Sequence, residues 1–140
     1  LLASRFYQKP SQDLFVFGAT GTKGKTTTTY LAKQLLEALG QKTGLIGGVE
    51  TIVGDHRVPS TLTTHDVIFN QKWLREMVEQ KCKAVSIEVS SHGLMQKRVD
   101  EIYFDAALFT NLSADHLDYH ETMEAYAQAK RRLFQLLDRS

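Results

Sequence analysis

The alternation of apolar and polar positions divides the chain into short strands and amphipathic helices. Leu14-Phe15-Val16-Phe17 is a compact apolar run that predicts a strand, and Thr28 to Leu39 predicts a helix. Ala32, Leu35, Leu36 and Leu39 share one face of that helix, and Gly40 supplies its stop. Thr43–Ile46 and Glu50–Val53 predict two further strands separated by Gly47-Gly48. Gly54-Asp55-His56 predicts a hairpin turn, and hence an antiparallel excursion. Asp66 is the predicted N-cap of a helix to Gln80, with Val67, Leu74, Met77 and Val78 facing the core. Ala84–Val89 alternates as a strand, and Ala106–Phe109 predicts a short buried one. Thr122 caps a last predicted helix to about Leu137, while Leu1–Gln8 reads as a packed helix end broken by Pro10-Ser11.

Strands alternating with helices predict an α/β fold: a P-loop-containing, mostly parallel sheet flanked by helices. In such sheets ligands gather beyond the carboxyl ends of the strands. The polar segments after the strands at 14–17, 84–89 and 106–109 should therefore converge on one site.

Composition narrows the picture further. The chain has 140 residues, enough for one domain with a real core, and its net charge of +1 gives no reason to expect nucleic acid or an anionic membrane as partner. The single Cys82 cannot form an internal disulfide, which suits a reducing cytosol. No run of about 18 apolar residues and no signal-peptide pattern occurs. Position 1 is Leu, and Leu133–Leu137 keeps a helical pattern close to the last residue, so the expectation is a segment of a longer polypeptide.

Residues Gly21-Thr22-Lys23-Gly24-Lys25-Thr26-Thr27 lie between the first strand and the first long helix. Strand, glycine loop, Gly-Lys-Thr and helix make a phosphate cradle, in which backbone N–H groups and the helix dipole favour an anion. Lys25 would reach the outer phosphates and the Thr26 hydroxyl would ligate the Mg²⁺ of ATP or GTP. The first glycine of the strict pattern is replaced by Ala19, with Gly18 one residue early. The competing reading is a structural glycine turn.

Three other segments carry chemistry. Glu88 ends an apolar strand and is placed to hold Mg²⁺ opposite the phosphates, against the plainer reading of a solvated strand-end charge. The loop Asn111–His120 places two His and two Asp within its last six positions, 115–120. His116 and His120 have zinc-like spacing, but position 117 lacks the Glu of a zinc hydrolase and no third ligand is evident. A single histidine ligand to a Mg²⁺-type ion is the preferred reading. Lys130 shares a helix face with Met123, Tyr126, Ala127, Leu133, Phe134 and Leu137. A lysine in such a stripe usually snorkels to water. If it cannot, burial favours a neutral, nucleophilic amine that CO₂ can convert to a metal-binding carbamate.

Together these segments resemble the central ATPase domain of the Mur ligases of peptidoglycan synthesis, in the branch that adds the third residue of the peptide stem. The resemblance rests on Gly21–Thr27, Thr63-Thr64, Glu88-Val89-Ser90-Ser91-His92-Gly93-Leu94 and Phe109-Thr110-Asn111-Leu112-Ser113. It continues through Asp115-His116-Leu117-Asp118-Tyr119-His120 and Ala129-Lys130, and so runs from about Phe6 to the end. It implies an ATP-dependent amide ligase that works through an acyl phosphate. Lys25, Glu88, His116 and Lys130 would be catalytic, and Gly21, Thr22, Lys23, Gly24, Lys25, Thr26 and Thr27 would hold ATP. Thr26, Glu88, His116 and a carbamylated Lys130 would hold Mg²⁺.

By the same resemblance, Thr63, Thr64, Ser90, Gln96 and Arg98 would contact UDP-N-acetylmuramoyl-L-alanyl-D-glutamate, the acceptor of diaminopimelate or lysine. Arg98 suits an anionic partner because its fork grips a carboxylate or phosphate bidentately. Residues 1–12 would be a helix end and linker from a preceding domain, and 13–140 the N-terminal part of the central domain, with a C-terminal amino-acid-binding domain absent. A cytoplasmic location is expected, and the sequence leaves the oligomeric state open, with a monomer as the expectation. Lys23, Leu62, His65 and Ala114 stand where the family more often has Asn, Asn, Pro and Arg. The competing functions are a folylpolyglutamate synthase-like ligase and a nucleotide-binding module without turnover. A GTPase fits less well because no Asn-Lys-x-Asp motif occurs.

Overall fold

The computed structural model describes residues 1–112 and 123–138. A short helix α1 (Leu2–Phe6) and a 3₁₀ turn (Pro10–Asp13) lead into β1 (Phe15–Thr20) and α2 (Lys25–Ala38). There follow β2 (Thr43–Ile46), β3 (Glu50–Val53), β4 (His56–Pro59) and α3 (Val67–Glu79). The order continues with β5 (Ala84–Glu88), α4 (Ser91–Met95), β6 (Ala106–Phe109) and α5 (Met123–Gln135), which ends in a 3₁₀ turn (Leu136–Asp138).

The strands form one six-stranded sheet in the order β4-β3-β2-β5-β1-β6. β2, β5, β1 and β6 are parallel, and β3 and β4 add the antiparallel hairpin. The expected α/β sheet flanked by helices is thus present. The register sets Ala19 beside Glu88 and Thr20 beside Phe109. The carboxyl ends of β1, β5 and β6 consequently lie side by side, as the convergence argument required.

Local chemistry explains most boundaries. The Asp66 carboxylate accepts from the Phe69 N–H at 2.8 Å and caps α3 where the sequence places the cap. Gly40, at φ 84, follows the end of α2. Gly54, at φ 59, turns the β3–β4 hairpin. The Ser90 hydroxyl accepts from the Gly93 N–H at 3.1 Å and starts α4, a helix the apolar pattern does not announce.

The larger core lies between the sheet and α3 and α5. Leu74 and Met77 from α3, Leu133 from α5, and Val16, Val85 and Ile87 from the strands are all essentially excluded from water. Each such side chain contributes about 1.5–3 kcal/mol of burial. On the opposite face, α2 contacts β5, β2 and β1. The Ser86 hydroxyl reaches across that interface to the Thr29 carbonyl at 2.9 Å.

Several expectations are corrected. Leu35 and Leu39 are exposed, so α2 meets the sheet through Thr29 and the half-buried Ala32 and Leu36. β5 is buried along its whole length instead of alternating, because it is a central strand covered on both faces. β6 is an edge strand with Leu108 and Phe109 exposed. α1 touches α3 but leaves Leu2 and Phe6 in solvent, and Pro10-Ser11 begins a 3₁₀ turn and does not simply break a helix. Gly18 lies within β1 and not in the loop. A Cβ there would stand 2.7 Å from the Phe104 ring, so close packing requires the glycine. The Thr122 cap lies outside the described residues.

Candidate functional site

The segment from Gly21 to Gly24 joins β1 to α2, and Gly24 is the helix N-cap. The first N–H groups of α2 have no preceding turn to bond, which makes this end electropositive. Gly21 has φ 143, and a Cβ on it would fall 1.9 Å from the Thr110 hydroxyl. That hydroxyl donates to the Lys23 carbonyl at 2.7 Å. Asn111 pairs with the backbone of Lys23 in both directions: its Oδ1 accepts from the N–H at 3.0 Å and its Nδ2 donates to the carbonyl at 3.0 Å. Thr22 is buried, whereas Lys23, Gly24 and Thr27 are exposed.

Lys25, half-buried, folds its Nζ onto the loop and donates to the carbonyls of Gly21 at 2.8 Å and Thr22 at 3.2 Å. Thr26 and Glu88 meet as their positions on adjacent elements predict. The Thr26 hydroxyl donates to Glu88 Oε1 at 2.9 Å, and the Gly48 N–H donates to Glu88 Oε2 at 2.8 Å. Gly48 was not foreseen: its role depends on β2 ending beside β5, which no local signal near Gly47-Gly48 encodes. A hydroxyl and a carboxylate side by side are the hard oxygen donors that Mg²⁺ takes, so the residues present fit that ion. Among the described residues no three His, Cys, Asp or Glu side chains cluster as a metal site.

Lys130 is 1% exposed and does not snorkel. Its Nζ donates to the Gly21 carbonyl at 2.8 Å, the same oxygen that accepts from Lys25. The face of α5 that carries Lys130 therefore points at the glycine loop. His116, like Ala114, Asp115, Asp118 and His120, lies outside the described residues.

A second group of residues surrounds a pocket of about 310 Å³. Lys25, Thr63, Thr64, Ser90, Gln96 and Arg98 all line it, together with Leu62 and His92. The buried Thr64 hydroxyl accepts from the Ser90 N–H at 2.8 Å, and Arg98 Nη1 donates to the Thr64 carbonyl at 2.7 Å. Arg98 Nη2 also binds the Gln96 side chain. Among the described residues the lining includes two basic side chains, Lys25 and Arg98, and no carboxylate, which favours an anionic occupant. His92 was quoted in the sequence only as part of a longer word. The start of a helix at Ser91, set by the Ser90 cap, turns it toward the pocket rim.

Two neighbouring groups have displaced titrations. His65 is buried, stacks on Phe69 with ring centroids 3.9 Å apart, and lies 3.3 Å from the Ser60 hydroxyl. Its burial holds the imidazole below the ordinary 6.5, although a backbone hydrogen bond with Gly47 opposes this. Tyr30 on α2 hydrogen-bonds Glu50 on β3. Its phenol is pushed up from 10.0 to about 12, first by burial and then by that carboxylate.

Strand, glycine loop, helix and strand-end carboxylate together define a P-loop α/β domain. The profile of the Mur ligase middle domain matches residues 19–140, and the chain belongs to that family. The chain is 50% identical over 133 residues to the UDP-N-acetylmuramoyl-L-alanyl-D-glutamate--2,6-diaminopimelate ligase of Chlamydia muridarum (strain MoPn / Nigg), a match covering 95% of this chain and 28% of that protein. A solved structure of a ligase of the same name superposes with a TM-score of 0.83 at 34% identity, over 96% of this chain and 28% of the other. E. coli FolC in complex with DHPP and ADP superposes with a TM-score of 0.69 at 20% identity, over 95% of this chain and 39% of the other, a likeness of fold. The chain thus spans under a third of the length of these two diaminopimelate ligases.

Proposed function

We propose that this chain is the phosphate-binding and acceptor-binding part of an ATP-dependent amide ligase. The full protein would add diaminopimelate to UDP-N-acetylmuramoyl-L-alanyl-D-glutamate, as the names of its relatives suggest, and would work in the cytoplasm. The observation that carries this reading is the shared pocket: Lys25 of the glycine loop lines the same cavity as Thr63, Thr64, Ser90, Gln96 and Arg98. A phosphate-side cation and an anion-binding surface on one cavity suit the transfer of a phosphoryl group to a carboxylate. Residues 13–140 would then be the N-terminal part of the middle domain, preceded by a linker at 1–12.

In this reading the acceptor carboxylate attacks the γ-phosphorus of ATP and expels ADP. The amino group then attacks the carbonyl of the resulting acyl phosphate, losing a proton and displacing phosphate. Mg²⁺ held near Thr26 and Glu88 would supply charge neutralisation at the phosphoryl oxygens. Lys25 would leave the Gly21 and Thr22 carbonyls and turn its ammonium to the same oxygens. Glu88 is held ready by the Gly48 N–H, which fixes its second oxygen while the first faces Thr26. Arg98 and the Thr63–Thr64 segment would orient the acceptor, and His116 would join the metal set.

Lys130 would act as a carbamate. Lys130 is sealed from water close to Lys25. Loss of its proton would leave a neutral amine, and addition of CO₂ with release of a second proton would give a singly charged carbamate anion with two oxygen donors for a metal. Electrophilic trapping of the carbamate followed by mass spectrometry tests this directly. An unmodified Lys130 in fully active protein would overturn it.

The activity itself is tested by phosphate release in the full-length protein. Release that requires both UDP-N-acetylmuramoyl-L-alanyl-D-glutamate and diaminopimelate is expected. Release with a folate and glutamate instead, or nucleotide binding without any turnover, would replace the reading with one of its competitors.

A further inference from the structure

Asn70 sits in the apolar stripe of α3, one turn before Leu74, and is 1% exposed. A buried carboxamide there needs partners, because leaving its polar atoms unpaired costs about 1–3 kcal/mol. Its partners are two backbone carbonyls. Nδ2 donates to His65 at 3.0 Å and to Arg98 at 3.1 Å, using both of its hydrogens. Both partners are acceptors only, so the chemistry fixes which end of the amide faces them.

These two carbonyls belong to the two segments that form the acceptor pocket. His65 directly follows Thr63-Thr64, and Arg98 is itself a lining residue two positions beyond Gln96. The Arg98 guanidinium returns to the Thr64 carbonyl at 2.7 Å. The result is a closed bracket: Asn70 to His65, along the chain to Thr64, through the guanidinium to Arg98, and back to Asn70. Without the Asn70 bonds, the Arg98 end of its segment would be tied to the Thr64 segment through the long, flexible arginine side chain, the Thr64–Ser90 bonds lying eight residues earlier.

We infer that Asn70 is a positioning residue for acceptor recognition, setting the separation of Thr64 and Arg98 across the pocket without touching the ligand. This rests on the proposed acceptor site, and it adds a residue whose contribution passes wholly through backbone geometry. Lys25 reaches the pocket from the glycine loop, where its Nζ bonds the Gly21 and Thr22 carbonyls, so nucleotide affinity should change little when Asn70 is replaced.

The test uses full-length protein with UDP-N-acetylmuramoyl-L-alanyl-D-glutamate as the titrated ligand, and ATP in parallel. Asn70→Leu keeps side-chain volume and removes both hydrogen bonds. Its acceptor Kd and KM are expected to rise about tenfold, the equivalent of two ordinary hydrogen bonds, while the ATP KM stays within about twofold. In an Arg98→Ala background the same substitution should change acceptor affinity little, because the positioned group is gone. Equal acceptor affinity in folded Asn70→Leu overturns the inference. So does a full tenfold effect that persists without Arg98, or a parallel loss of ATP and acceptor affinity. If Asn70→Leu does not fold, the smaller Asn70→Ser carries the same measurements. Wild-type protein that fails to bind the acceptor sinks the functional reading itself, and this inference with it.

Discussion

The face of the sheet under α3 and α5 is closed by aliphatic side chains, whereas the face under α2 is joined by hydroxyl and carboxylate groups. On the first, Leu74, Met77, Val85, Ile87 and Leu133 belong to one buried apolar cluster. On the second, Ser86 bonds Thr29, Thr26 bonds Glu88 and Tyr30 bonds Glu50. Leu31, Leu35 and Leu39 of α2 turn outward and remain exposed. The aliphatic face carries most of the apolar burial, although Lys130 of α5 reaches the glycine loop from that side. The α2 face carries the hydroxyl and carboxylate pair at Thr26 and Glu88.

The contrast can be broken most sharply on the chemical side. Lys25→Ala and Glu88→Gln in the full-length protein should lower turnover by about two to three orders of magnitude, measured as acceptor-dependent phosphate release. The melting temperature should change little, since neither side chain belongs to the aliphatic core. A large drop in melting temperature with turnover preserved would erase the distinction between the faces.

On the other face the expectation is reversed. Leu74→Ala or Leu133→Ala should cost about 2–5 kcal/mol in urea unfolding, because each empties a fully buried site. Nucleotide affinity of the molecules that remain folded should be retained.

Two pH effects are smaller and opposite in sign. His65 has its folded value below the ordinary 6.5, so the unfolded chain binds the proton more readily. Its contribution to stability is present above about 6.5 and is lost as pH falls through the lower folded value. Tyr30 holds its proton to about 12 against an ordinary 10.0. Its contribution is full below 10 and declines as pH rises towards 12. Urea melts of wild type, His65→Asn and Tyr30→Phe across pH should show each limb flattened in the matching variant.

The smallest effect belongs to the outer stripe. Leu39→Gln in this 140-residue chain should leave stability within about 0.5 kcal/mol, since Leu39 is 76% exposed. A loss of several times that size would mean that the stripe is covered.

The parts of the fold that were legible in the sequence are those fixed by neighbours along the chain. β2 and β3 fall where their β-branched runs lie, and Asp66 caps α3 through a bond only three residues long. Gly21–Thr27 was legible because a phosphate loop needs its residues in one short stretch. Lys130 was legible as an anomaly, a cation in an apolar stripe, but which way it turned required the loop carbonyl packed against it. Asn70 gave the same kind of signal within the stripe of α3 and was passed over. The exposure of Leu35 and Leu39 was not legible at all. Helical periodicity shows that residues share a face, and says nothing of how far along its length the helix touches the sheet.

The bonds that complete the glycine loop span long stretches of chain: 62 residues from Thr26 to Glu88, 88 from Lys23 to Asn111 and 109 from Gly21 to Lys130. Parallel pairing of β1 with β5 and β6 is of the same long range. The loop is therefore among the first parts of this sequence to leave the ribosome and among the last to acquire its shape. Such non-local closure slows folding and leaves the β1 edge exposed in the interval. During synthesis the partners of the nascent loop emerge in turn, Glu88 first, Asn111 next and Lys130 of α5 last.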